Sequence, residues 1–185
     1  FWFLVFGFLS ISVAFHACLI HLVPLLLDQG MSSTTAASAA ALMAVGIFVG
    51  RIVTGILLDK YFAAHVAIIV FSLFTLALLL LWMGGPVWLP FVAVSLLGVA
   101  QGAEFDLMAY MVGRYFGLIN FAAIYGFVFS AFTVGGAIGP PMMGFAYDTT
   151  GSYQGPLLML AILPVIAIVL MTRMGRYPVF SGNGA

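Results

Sequence analysis

The chain has 185 residues, 65% of them hydrophobic and only 5% charged, with five Lys or Arg balanced by five Asp or Glu. A soluble domain is about a quarter charged, so this composition excludes a water-soluble globule, and so few cations exclude a nucleic-acid-binding surface. The apolar character runs the whole length, as in a polytopic membrane protein, in runs too long and continuous for the alternating strands of a β-barrel.

A membrane-spanning helix needs about 20 mostly apolar residues, and six segments read as spans. The first runs from Phe1 to Leu27. It starts already hydrophobic, without an initiator Met or the flanks of a signal peptide, and reads as part of a longer chain. It carries His16 and His21, candidates for substrate or proton contact because imidazole changes charge near neutral pH. The alternative is ordinary hydrogen-bonded structure. Their spacing forms no recognisable metal set, no cofactor is called for, and the lone Cys18 excludes an internal disulfide.

The second span, Ala36 to Leu58, holds Gly46, Gly50, Arg51 and Gly55 and is followed by Asp59 and Lys60. The glycines leave space for another backbone or a ligand. Arg51 is placed one to two turns inside the end of the helix, where it either meets an anion or snorkels to the surface. The third span, Ala64 to Met83, is apolar all round, as a lipid-facing helix is, and His65 before it reads as surface. The fourth, Trp88 to Gly113, carries Glu104 and Asp106 near its middle and Arg114 at its end. A carboxylate at mid-membrane costs about 2.5–3.5 kcal/mol, so it must be paired, protonated or wet. Two positions on a helix differ by about 200°, so one acid faces a cavity and the other a neighbour. The readings are proton coupling or a structural ion pair. Asp106 and Tyr110 are four apart and can bond along the helix, which leaves Glu104 as the free acid.

The fifth span, Asn120 to Tyr147, contains Gly135, Gly139, Gly144 and the pair Pro140-Pro141, where a kink is expected. The sixth, Pro156 to Met171, is again apolar all round. Arg173 and Arg176 follow, closing a bundle over residues 1–176 with a tail at 177–185. With six spans all five cations share one side, which the positive-inside rule makes cytoplasmic, with both chain ends there. Asp28, Asp148, Trp82 and Trp88 fall on the other side.

Gly46, Gly50, Gly55 and Asp59 recur as Gly135, Gly139, Gly144 and Asp148, each 89 positions later. The order of two polar-bearing spans and one apolar span also occurs twice. Three is an odd number of spans, so the second unit is inverted relative to the first. Two inverted three-helix repeats are the architecture of secondary transporters.

"GRIVTGILLDKYF" resembles the signature of the major facilitator superfamily after its second and eighth helices, with Gly55, Asp59 and Lys60 matching. "GFVFSAFTVGGAIGPPMMG" resembles that family's glycine-rich helix motif, with Gly126, Gly135, Gly139 and Pro140 in place and Met143 where glycine is usual. The resemblance implies the C-terminal six-helix half of a twelve-helix transporter, with the N-terminal half as its missing partner. More narrowly, "HLVPLLLDQGMS", "GRYFG" and "DTTGSY" are similar to bacterial relatives of monocarboxylate and oxalate/formate transporters, which implies the bacterial inner membrane. In that group an arginine on the eighth helix is implied to hold the substrate carboxylate, and Arg51 matches it. Eukaryotic members place an aspartate one turn earlier, where this chain has Ile47. The family also implies a cytoplasmic gate in which Asp59, beside Lys60, pairs with Arg114 in one conformation and releases it in another. The alternative for these residues is positive-inside flanking.

No nucleophile or metal motif of an enzyme appears, nor a filter loop of a channel. The expectation is a transporter moving a small organic anion with a proton or in exchange for a counter-anion. The alternatives are a non-transporting membrane scaffold and a transporter of a non-carboxylate.

Overall fold

The computed structural model describes residues 1–178, so residues 179–185 of the expected tail lie outside it. The chain forms six helices: α1 (Trp2–Asp28), α2 (Ser33–Lys60), α3 (Ala63–Met83), α4 (Trp88–Phe116), α5 (Phe121–Thr150) and α6 (Gln154–Thr172). All six are long and apolar enough to cross a membrane. The chain is an all-α polytopic membrane protein, with no strand among the described residues.

Short connections turn each helix back on the last. Gly84, Gly117 and Gly151 end α3, α4 and α5 at φ of 59°, 75° and 67°, a region that side chains with a Cβ rarely adopt. Ties across the loops show which ends lie together. At one end Gln29 Nε2 donates to the Leu81 carbonyl at 2.6 Å. At the other, the Ala63 N–H donates to the Tyr177 hydroxyl and the Tyr115 hydroxyl donates to the Gly175 carbonyl, both at 2.8 Å. Lys60, Arg114 and the segment holding Arg173 and Arg176 therefore gather at one end. Asp28, Asp148, Trp82 and Trp88 gather at the other.

The packing repeats as the sequence pattern predicts. α1 packs chiefly on α5 and α2 on α4, while α3 packs on α4 and α6, and α6 on α3 and α1. Exchanging α1, α2, α3 with α4, α5, α6 maps this set of neighbours onto itself. Glycines set the two closest crossings, because removing the Cβ lets backbones meet. Gly46 and Gly50 abut α4 at Ser95 and Val99, and Gly98 and Gly102 abut α2 at Met43 and Ile47. In the other repeat Gly135 and Gly139 abut α1 at Leu9 and Val13. The matched glycines thus do matched work.

Two of the expected packing glycines differ. Gly55 has no neighbouring atom within 4 Å of a Cβ built on it, so in this conformation it packs against nothing, whereas Gly144 faces the His21 ring at 3.6 Å. α5 runs through Pro140 and Pro141 as one helix.

The apolar helices α3 and α6 are not simple lipid-facing rods. They bury one face against each other and against α4 and α1, and expose strips such as Ile69 and Leu76 or Ile162 and Val169. The broadest open faces belong to α2 and α5, each held mainly by one partner. Edge-on contacts of Phe8 with Phe71 and tilted contacts of Phe15 with Phe74 fill the core between α1 and α3.

Candidate functional site

At 1.5 Å rise per residue, Arg51 and Asp106 lie about 14–15 Å from the cation-bearing ends of their helices. Glu104 lies about 18 Å, His16 about 21 Å and His21 about 29 Å from that end by the same measure. Arg51 is thus about two and a half turns inside α2, deeper than the sequence suggested, because the helix continues to Lys60.

Arg51 Nε donates to Asp106 Oδ2 at 3.3 Å. The pair lies on the open face where α2 crosses α4, with the Arg51 side chain 60% and the Asp106 side chain 38% exposed. The expected Asp106–Tyr110 bond along α4 is not the one formed, since the guanidinium from α2 competes for the carboxylate and carries a full charge. Only Nε is engaged. The two terminal guanidinium nitrogens have no hydrogen-bond partner among the described residues. The Arg51 backbone sits where Gly102 passes α2, so the glycine crossing sets the spacing of the pair.

Glu104 points the other way. It is 1% exposed, and neither carboxyl oxygen has a hydrogen-bond partner among the described residues. One turn earlier, Gln101 Oε1 is also buried and unpartnered. The structure therefore assigns the open face to Asp106 and the helix–helix interior to Glu104.

The two histidines differ. His16 Nδ1 lies 3.0 Å from the Ser12 carbonyl, which can only accept, so the proton is on Nδ1. Its Nε2 has no partner among the described residues, and its ring lies against Gly136 and edge-on to Phe132. His21 has no spare nitrogen. Nε2–H donates to the Pro140 carbonyl and Nδ1 accepts from the Tyr153 hydroxyl, each at 3.1 Å. Burial raises the Tyr153 hydroxyl above the ordinary phenol range, with Tyr147, Asp28 and Asp148 adding to it, which keeps this donor protonated. Tyr153 stacks on Tyr147 at 4.2 Å and borders an opening of about 330 Å³ lined by Asp28, Gln29 and Gln154. His21 thus bolts α1 to α5 and to the start of α6, in the half of the bundle away from Arg51.

At the cation-bearing end, Asp59 and Lys60 are exposed. Arg114 does not pair with Asp59 in this conformation. Its guanidinium lies 4.7 Å over the Tyr177 ring and 5.9 Å from that of Tyr110. Tyr177 also packs on Phe62 and Tyr115, so the segment after α6 is strapped across the ends of α3 and α4. Sequence reasoning missed Gln101, Tyr153 and Tyr177. Gln101 could have been found as a polar residue one turn before Glu104. Tyr177 gave no pattern, because its partners are far away in the chain. Among the described residues no three His, Cys, Asp or Glu side chains converge on a possible metal position.

Curated relatives match the chain at low identity. The chain is 27% identical over 175 residues to monocarboxylate transporter 12 of Rattus norvegicus, covering 88% of this chain and 35% of that protein. It is 28% identical over 151 residues to monocarboxylate transporter 11 of Mus musculus, covering 75% and 33%. The chain therefore spans about a third of the length of the curated relatives it matches. The family model of the Major Facilitator Superfamily matches residues 2–183, nearly the whole sequence. Six spanning helices, their glycine-set crossings and this match agree, and the chain belongs to the Major Facilitator Superfamily.

Proposed function

We propose that this chain is the carboxylate-handling half of a secondary transporter that moves a small organic anion, such as a monocarboxylate, by alternating access. The observation that carries this reading is the half-engaged Arg51. One nitrogen holds Asp106, and the remaining donors face an open side of the bundle about 14 Å in from the cation-bearing end of α2. A guanidinium fork matches a carboxylate in two parallel hydrogen bonds. Exposing such a charge to lipid at this depth is costly, so its face belongs to a wet cavity or a partner surface. Asp106 then acts as the resident counter-ion that an incoming carboxylate displaces or shares. His16, with its free Nε2, is the candidate second contact, while the binding role expected of His21 gives way to a structural one.

The relatives' names support the substrate class, and the family supports transport rather than catalysis. In this reading a further six helices complete the cavity against α2 and α5. The cation-bearing end is cytoplasmic by the positive-inside rule, in the bacterial inner membrane, with both ends of the chain inside. The anion moves together with a proton or in exchange for another anion.

The test is uptake of labelled short-chain carboxylates by the full-length protein in liposomes, beside the uncharged amides of the same acids. Uptake of acids but not amides is expected. Equal uptake of both, or of neither while an unrelated solute is carried, overturns the carboxylate assignment.

A further inference from the structure

The two ends of the bundle carry matched ties, and the cation-bearing end carries one more. Gln29, just past α1, donates to the Leu81 carbonyl near the end of α3. Tyr115, 86 positions later, donates to the Gly175 carbonyl just past α6. The same separation relates His16 to Gly102, so Gln29 and Tyr115 are equivalent clasps. Each joins the first helix of its repeat to the third. Tyr177 breaks the symmetry. Trp88 stands as far past α3 as Tyr177 does past α6, yet Trp88 is 61% exposed, whereas Tyr177 is bound on every side that the ends of α3 and α4 offer.

Its hydroxyl accepts from the Ala63 N–H at 2.8 Å, one of the donors that the start of a helix leaves unpaired. Its ring packs on Phe62 at 4.6 Å and on Tyr115 at 5.0 Å. The Arg114 guanidinium lies 4.7 Å over that ring and makes no ion pair among the described residues. Asp59 is four residues before Ala63, beside the turn that Tyr177 covers. The guanidinium thus has two partners close at hand, the Tyr177 face and the Asp59 carboxylate. An opening of about 400 Å³, lined in part by Tyr110, Gly113 and Leu118, leaves it room to move. A cation on an aromatic face and an ion pair in water are both weak at an exposed site and similar in size. A small bias therefore decides between them.

We propose that residues 173–178 are a strap that competes with Asp59 for Arg114, with Tyr177 as the positioning residue that sets the balance. With the strap seated, Arg114 rests on Tyr177 and the gate pair is parted. With the strap lifted, Arg114 closes on Asp59 and joins the ends of α2 and α4. This rests on the reading of Asp59 and Arg114 as a gate pair within the transport cycle, and it adds what controls that pair.

Trypsin tests the strap on the full-length protein in lipid nanodiscs, with the cut sites read by mass spectrometry. The Arg176–Tyr177 bond lies between two anchors, the Gly175 carbonyl and the Tyr177 side chain, so cleavage there reports the lifted state. Tyr177→Leu and Tyr115→Phe should each speed this cut about tenfold or more. Asp59→Asn should slow it about threefold or more, because Arg114 then has no competing partner. That slowing should persist in Tyr177→Phe, which keeps the ring, and vanish in Tyr177→Leu, which does not. Asp59 is exposed, so its replacement leaves the packing intact. Unchanged cleavage in Tyr177→Leu would mean that there is no strap. Unchanged or faster cleavage in Asp59→Asn, or equal slowing in the Tyr177→Leu background, would mean that there is no competition. Each of these results overturns the proposal. A full-length protein that carries no organic anion would sink the transport reading alone, because the cleavage pattern needs no substrate.

Discussion

Arg51 differs from a lysine at the same place in geometry more than in charge. Its rigid fork can hold Asp106 with Nε and still present two nitrogens to a carboxylate, whereas an ammonium is a point charge on a flexible stem. Arg51→Lys should therefore weaken carboxylate binding about tenfold or more, equivalent to about 1.4 kcal/mol, while the protein still folds. Unchanged half-saturation for substrate in Arg51→Lys would remove Arg51 from the binding site. The counter-ion of this arginine was not legible in the sequence. With Ile47 one turn before Arg51 and Gly55 one turn after it, no acidic partner lies within a turn on its own helix, and Asp106 lies 55 residues away on α4. Sequence spacing reveals pairs within one helix, and here the local Asp106–Tyr110 spacing pointed to a bond that a charged group from α2 pre-empts. The burial of Glu104 was half legible. The 200° offset separated the two acids, but only the packing shows which of them faces the interior.

At the scale of helices, the glycines make opposite predictions at two positions of α2. A methyl group at Gly50 would run into the Val99 carbonyl oxygen, which is backbone and cannot move alone, whereas Gly55 has open space around it. Replacing glycine by alanine in a helix gains up to about 1 kcal/mol, and overpacking costs about 1–3 kcal/mol. Gly50→Ala should thus lower thermal stability in detergent, and Gly55→Ala should leave it equal or higher; the reverse order would contradict the α2–α4 crossing. The helices themselves were legible from apolar runs, but their ends were not. Ser32 caps α2 by accepting from the Thr35 N–H at 3.2 Å, and Thr149 and Thr150 bond back to carbonyls of α5. Polar residues that looked like loop thereby extend both helices. The gate belongs to this scale too. Arg114 rests on Tyr177 here, so the proposed latch needs it to swing to Asp59 in another state. An exposed pair is worth about 0–1 kcal/mol, enough to bias two states but not to hold the fold. Asp59→Asn and Arg114→Ala should each change transport rate far more than melting temperature, and the double variant should be no worse than either. Additive losses would mean that the two residues act apart.

For the whole molecule, the paired crossings α1–α5 and α2–α4 make the repeat a property of packing as well as of sequence. The repeat is imperfect where chemistry sits. Gly98 and Gly102 on α4 correspond to Ser12 and His16 on α1, each 86 positions earlier, so one repeat keeps a backbone contact where the other holds an imidazole against Gly136. The charge pair Arg51–Asp106 likewise exists in one repeat only. Such asymmetry fits a membrane with a gradient across it, and it makes orientation testable. Lys60, Arg114, Arg173 and Arg176 share one end of the bundle, and near the membrane such clusters stay in the cytoplasm. Cys18 is the only cysteine and is buried, so a membrane-impermeant thiol reagent should find little background. Ser33, at the start of α2, and Asn120, just before α5, are exposed at opposite ends. In intact cells the reagent should label Ser33→Cys and spare Asn120→Cys, and in inverted vesicles the pattern should switch. Labelling of both from one side would break the six-span topology. A pattern opposite in sign would keep the topology and reverse the orientation, placing Asp59 and Arg114 at an external gate.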